Sequence, residues 1–104
     1  MTKVSCELDD EQLKAQGLAQ WEILDTMWAY VKRTNGCKEA KRVADNAFEL
    51  RGEDDLMLIG AIMDMLNDNR ELMPYIKAVP VFVNGKYDDD IKEVVLQDAD
   101  DENY

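Results

Sequence analysis

The chain has 104 residues, of which 46% are hydrophobic and 34% are charged, and its formal net charge is −11. This length predicts one domain with a single hydrophobic core. The charge argues against nucleic acid as a direct ligand, because Lys and Arg neutralise phosphate in such complexes, and it favours a basic protein partner. The chain has no histidine, which excludes the Ser-His and Cys-His pairs of triad hydrolases.

The first residues contain no apolar signal region, and no apolar run approaches the length of a membrane span. We therefore expect a cytoplasmic protein without a membrane partner. The two cysteines, Cys6 and Cys37, are too few for a secreted disulfide framework and wrongly spaced for a zinc site. No metal is predicted.

The N-terminal third of the chain allows two interpretations. Residues 1–8 form a short strand or stay loose, and Asp9 with Gln12 predicts the start of a helix. Further along, apolar residues continue the helical spacing as far as residue 33, which predicts a helix over 18–33. The alternative, which we prefer, breaks this helix near residue 25 and assigns 27–31 to a strand, because Trp28, Tyr30 and Val31 have strand preference.

The middle of the chain predicts two helices. A helix beginning at Thr34 or Asn35 would place Ala40, Val43 and Ala47 on one face. Residues 56–66 are apolar nearly all round, which indicates a central helix. Acidic residues precede it, and their negative charge would stabilise the positive N-terminal end of the helix dipole. Pro74 argues against a long helix in the linker that follows.

The last third of the chain predicts a hairpin and a capped helix. Asn84-Gly85 is typical of a type I′ turn between two strands. Pro80 cannot donate to a sheet ladder, so it should be the first residue of its strand. Asp90, three residues before Glu93, predicts a capping box at the start of the last helix.

This C-terminal order resembles glutaredoxins, in which a Val-Pro pair with a cis peptide bond begins a strand that ends in an Asn/Asp-Gly turn. Residues 28–43 are similar to the strand, Cys-x-x-Cys loop and helix of that family, with Cys37 at the second cysteine and Thr34 at the first. Phe48–Arg51 and residues 54–69 would supply the family's second strand and second helix. The resemblance implies an α/β fold of the thioredoxin type, with a small mixed sheet flanked by helices. The alternative is a mainly α fold with one β-hairpin.

The resemblance also implies a division of the chain and a set of ligand-contacting residues. Residues 1–26 would be an N-terminal extension, 27–97 the glutaredoxin-like domain and 98–104 an acidic tail. Glutathione is the implied ligand and no other cofactor is expected. The residues implied to contact the ligand are a threonine, two lysines, a Val-Pro pair and two aspartates: Thr34, Lys32, Lys38, Val79, Pro80, Asp89 and Asp90.

Cys37 is the candidate catalytic residue. In the first turn of a helix, amide N–H groups and nearby basic residues would lower the pKa of its thiol. The competing interpretation is a small buried apolar residue, which is the usual role of a free cysteine. The basic cluster around it either receives carboxylates of glutathione or an acidic partner, or is a solvated helix face.

Two functions follow. The first is thiol–disulfide exchange with glutathione or a protein thiol through Cys37, or a redox-dead binding derivative of that fold. The second is a small acidic protein that binds a basic, nucleic-acid-binding surface on a partner protein.

Overall fold

The structure, a computed structural model, describes the backbone of residues 1–101 and the side chains of residues 1–97. The side chains of the predicted acidic tail, 98–104, lie outside this description. Seven strands occur in the described part, at Thr2–Ser5 (β1), Glu7–Leu8 (β2), Lys41–Ala44 (β3), Ala47–Leu50 (β4), Ile76–Ala78 (β5), Pro80–Val83 (β6) and Lys86–Asp90 (β7). The α-helices are Asp10–Gln16 (α1), Gln20–Arg33 (α2), Met57–Asp68 (α3) and Ile91–Asp101 (α4), and a 3-10 helix spans Arg70–Tyr75.

The strands form a five-stranded sheet in the order β3-β4-β1-β6-β7 and a two-stranded sheet of β2 and β5. Each pair of neighbouring strands is antiparallel. The predicted α/β class is confirmed, whereas the mixed sheet and the mainly α alternative are wrong. The physical reason is the β3–β4 hairpin, which reverses the chain just before β4, so that β4 runs antiparallel to β1.

The two faces of the five-stranded sheet differ. Val4 lies opposite Phe48 and Val81, and all three side chains are buried. The Trp28 ring of α2 stacks on Phe48, with centroids 5.6 Å apart, so this face packs against the helical layer. Because successive strand residues point to opposite faces, Lys3 lies on the other face, opposite Phe82. The second face is therefore less covered than the first.

The preferred strand at 27–31 is wrong, and the helix over 18–33 is the correct interpretation. In α2, Ile23, Leu24, Met27 and Val31 form one buried stripe at helical spacing. The carboxylate of Glu22 accepts a hydrogen bond from the Ala19 N–H at 2.7 Å, at the start of the helix. Burial of the stripe outweighs the strand preference of the aromatic and β-branched residues, since such preference depends on context.

The helix expected from Thr34 is also wrong. Residues 34–40 form turns, and Gly36 has a φ of +92°, which a helix does not allow and which favours glycine. A side chain at this position would also crowd Met57, whose Cγ lies 3.1 Å from an ideal Cβ on Gly36. The chain then enters β3 and reverses at Asp45-Asn46 into β4.

Several predicted ends of elements are confirmed. The carboxylate of Asp9 accepts a hydrogen bond from the Gln12 N–H at 3.2 Å, at the start of α1. Asn84 and Gly85 have φ angles of 52° and 83°, as a type I′ turn requires. Pro80 is the first residue of β6.

Two details of the last third differ from expectation. The Val79–Pro80 peptide bond is trans rather than cis, which is the commoner state of bonds before proline. The capping box is incomplete, because the Asp90 N–H donates to the carboxylate of Asp89 at 2.8 Å rather than to Glu93. Asp90 still caps α4 by accepting from the Lys92 N–H at 3.0 Å.

The N-terminal residues belong to the centre of the structure. β1 is the middle strand of the five-stranded sheet, and α2 crosses the division predicted between residues 26 and 27. The Met1 ammonium lies 3.1 Å from Asp55, which also accepts a hydrogen bond from the Thr2 hydroxyl at 3.0 Å. These two hydrogen bonds lower the pKa of Asp55. Within the described residues, no helix has the length and apolar character that crossing a membrane requires.

Candidate functional site

Cys37 lies in the turn between α2 and β3, and only 1% of its surface is exposed. Its N–H donates to the Thr34 carbonyl at 3.1 Å, and its own carbonyl accepts from the Ala40 N–H at 3.0 Å. Burial raises the pKa of the Cys37 thiol. The expected lowering of this pKa is wrong, because the cysteine does not lie at a helix N-terminus. Cys37 occupies the environment of a structural cysteine.

Thr34 ends α2 instead of beginning a helix. Its hydroxyl donates to the Tyr30 carbonyl at 2.7 Å, and its N–H donates to the Val31 carbonyl at 3.2 Å. The prediction that a helix begins at Thr34 is therefore wrong. Thr34 donates hydrogen bonds to two carbonyls at the C-terminus of α2, and its hydroxyl proton is used in one of them.

Val79 is fully buried, and both of its backbone polar groups are used within the chain. Its N–H donates to the Asp90 carboxylate at 2.8 Å, and its carbonyl accepts from the Ile91 N–H at 2.9 Å. The resemblance implied that this backbone pairs with glutathione. In the structure, such pairing would first require these two hydrogen bonds to break.

Among the other predicted contacts, Pro80 lies opposite Asp90 in the β6–β7 pair, whereas the two lysines belong to α2 and the turn after it. Lys32 and Lys38 are exposed, and the Lys32 ammonium lies 5.9 Å from the Trp28 ring centroid. Asp89 is exposed on β7, at the opposite edge of the sheet from β3. Within the described residues, hydrogen bonds join Thr34 to Cys37 and Val79 to Asp90, but none joins one pair to the other.

The structure also shows a surface groove that the sequence did not predict. It lies between the N-terminal half of α2 and strand β3 and has a volume of about 570 Å³. Two apolar side chains border it and remain exposed, Trp21 at 64% and Val43 at 48%. The groove joins an exposed aromatic ring to the outer strand of the sheet.

The charged residues that line this groove are two aspartates and one arginine. Asp25 and Asp45 lie on its two sides, and Arg42 connects them: one guanidinium nitrogen lies 2.9 Å from the Asp25 carboxylate, and two others donate to the Asp45 backbone carbonyl. A second groove of about 390 Å³ shares the walls at Leu24 and Asp45 and adds the carboxylates of Glu7 and Asp10. In the two linings, four carboxylates accompany one guanidinium.

No protein-family model, curated protein or solved structure matches the chain. The resemblance to glutaredoxins therefore stays a prediction based on the quoted residues.

The sequence contained one signal for the groove. Asp45-Asn46 separates two short runs that could pair as strands, and Asp and Asn are frequent turn residues. A hairpin at this point would have placed residues 41–44 in a strand rather than in a helix. Trp21 shares the apolar spacing of Leu24, and only the packed structure shows that its ring lies outside the core.

Proposed function

We propose that this protein is a small acidic interaction module that binds a basic surface of a partner protein. The observation that supports this function is the surplus of unpaired carboxylates. In the part of the chain whose side chains are described, only three acidic residues form ion pairs: Asp25, Glu49 and Asp55. The others leave a negative field that attracts cationic partners and repels polyanions.

The arrangement of charge supports a protein partner. The outer strand β7 carries three consecutive aspartates, of which Asp88 and Asp89 are exposed. Lys41 and Arg42 lie on β3, at the opposite edge of the sheet. The acidic β7 edge and the β3 edge, where Asp25 balances the charge of Arg42, would together orient a partner with a basic face, since complementary potentials guide association and set the docking geometry.

The proposed function predicts charge-selective and salt-dependent binding. We expect the native protein to bind a labelled octapeptide of alternating arginine and glycine, because the unpaired carboxylates of the protein attract the guanidinium groups of the peptide. Affinity should fall steeply between low salt and about 0.5 M salt, since salt screens exposed charges. Fluorescence anisotropy of the label measures the affinity for the peptide and its dependence on salt.

The matched control is the same octapeptide with glutamine in place of arginine. Equal affinity for the two peptides, or affinity that salt does not change, would contradict the proposed function. An acidic octapeptide should not bind under any of these conditions.

Thiol–disulfide exchange on a thioredoxin-type scaffold is the second candidate. It is supported by the presence of Cys37 three residues after Thr34 and by the strand that begins at Pro80, turns, and leads into a helix. In such exchange the Cys37 thiolate would attack oxidised glutathione, form a mixed disulfide and release one glutathione thiolate. The buried thiol with its raised pKa disfavours this reaction.

The two candidates predict different reactivity for Cys37. We expect oxidised glutathione to modify Cys37 much more slowly in the native protein than in the unfolded chain, because burial disfavours the thiolate. Mass spectrometry of a Cys6→Ser variant isolates this reaction. In the folded protein, burial, and secondly the charge of Glu7, raise the pKa of the Cys6 thiol to about 12. Cys6 is still replaced, because its thiol would be free to react in the unfolded chain. Faster modification of the folded protein near pH 6 would favour the redox function.

A further inference from the structure

We propose that the groove between α2 and β3 binds an arginine side chain of the basic partner. This inference rests on the proposed function and assigns it a place on the molecule. The groove combines an exposed aromatic ring, an apolar wall and carboxylates in one concavity. A guanidinium on an aliphatic chain has chemistry that matches all three.

The charge of the groove selects a cation. Arg42 balances the charge of the Asp25 carboxylate, and its other two guanidinium nitrogens donate to the Asp45 backbone carbonyl. The carboxylate of Asp45 is exposed and accepts no hydrogen bond from any described residue. The neighbouring groove adds acidic side chains and no basic ones. An incoming guanidinium therefore finds the free Asp45 carboxylate, and the charge of Arg42 beside it is balanced by Asp25.

Trp21 is the second feature that selects a cation. Three other aromatic rings, on α2 and β4, each have a basic side chain of this chain within 6 Å: Lys32 at Trp28, Arg33 at Tyr30 and Arg42 at Phe48. Trp21 has no such partner within the described residues, although its ring is the most exposed of the four. Tryptophan gives the strongest cation–π interaction, and arginine stacks on aromatic faces more often than lysine.

The form of β3 favours a side chain over an added strand. β3 is an outer strand, but its register shifts between Arg42 and Ala44, so Val43 is bulged. Bulges and basic side chains on an outer strand hinder pairing with another chain. The exposed Val43 side chain instead offers an apolar contact for the methylene groups of an arginine, which pack on apolar surface while the charge stays hydrated.

The experiment titrates the full chain with a labelled, capped tetra-arginine peptide. Its matched controls are tetra-citrulline, which keeps the shape without the charge, and tetra-lysine. We expect arginine to bind more tightly than lysine, and citrulline not to bind. In NMR spectra, the indole N–H of Trp21 and the amide of Asp45 should shift during titration, while the indole of Trp28 should shift less.

Variants locate the site. Trp21→Ala and Asp45→Asn should each weaken tetra-arginine binding by about two- to fivefold. Both residues are exposed, so the fold should be retained, and unchanged unfolding midpoints would verify this. The comparison variant, Asp88→Asn with Asp89→Asn, removes two carboxylates at the far edge of the sheet and should change the affinity less than either groove variant.

Each outcome separates this inference from the proposed function. If tetra-arginine binds but only the β7 variant weakens it, the groove is not the site and the proposed function stands. Equal affinity for lysine, or Trp21 signals that do not shift, also overturns the groove proposal. If tetra-arginine does not bind at low salt, both proposals fail.

Discussion

Replacement of Phe48 by alanine should destabilise the protein by about 3–5 kcal/mol, which is the usual cost of removing a fully buried aromatic side chain. Phe48 is fully buried and stacks on Trp28, with ring planes 5° apart. Its loss would leave a cavity between β4 and α2 and remove their aromatic contact. Chemical denaturation followed by circular dichroism measures the change in the free energy of unfolding.

Phe82→Ala is the matched control for this prediction. Phe82 contacts Tyr87 edge to face, with centroids 5.9 Å apart, on the less covered face of the sheet. Because Phe82 is only partly buried, its truncation should cost clearly less than that of Phe48. Equal losses of stability in the two variants would contradict the conclusion that the two faces of the sheet are buried to different extents.

Asp90→Ala should destabilise the protein by about 3 kcal/mol, since it removes a helix cap and leaves a buried donor unsatisfied. One carboxylate oxygen of Asp90 accepts from Val79 N–H at 2.8 Å and from Lys92 N–H at 3.0 Å. The fully buried Val79 N–H would lose its partner. The same denaturation measurement applies.

Asp88, two residues before Asp90, supplies the control. Asp88 is exposed, and its side chain makes no hydrogen bond to the described residues, so Asp88→Ala should stay within about 0.5 kcal/mol of the parent. Asp90→Asn should recover much of the loss, because its amide oxygen can still accept. An Asp90→Ala protein as stable as the Asp88→Ala protein would show that the two hydrogen bonds contribute little.

The elements predicted correctly have strong local signals. The turn at Asn84-Gly85 requires positive φ, and the cap at Asp9 uses its own side chain, so neither depends on distant residues. The helix at Met57–Asp68 was predicted because residues 56–66 are apolar nearly all round. Local chemistry is sufficient to specify such elements.

The elements predicted wrongly depend on tertiary contacts. Trp28 has strand preference, yet its ring stacks on Phe48, twenty residues later, and that packing favours a helix. β3 contains Lys, Arg, Val and Ala, a weak strand signal, and gains its structure by pairing with β4. Because residues 41–44 were expected in a helix, the β3–β4 hairpin was not predicted.

The candidate site was predicted only in part. The sequence identified Cys37 and the basic cluster but could not show that the thiol is buried or that Arg42 reaches Asp25 across seventeen positions. The side-chain role of Asp90 as a cap was predicted from spacing, while its bond to Val79 depends on the return of the chain after the hairpin.

The position of β1 has a consequence for how the chain acquires its structure during synthesis. β1 is made before both of its neighbours in the sheet, Ala47–Leu50 and Pro80–Val83. Contacts between segments so distant in sequence slow folding, because a long loop must close before they form. The edge of β1 that pairs with β6 therefore stays unpaired until Pro80–Val83 has left the ribosome. Nascent chains that end before residue 80 should expose this strand, and they should be the forms most prone to aggregation.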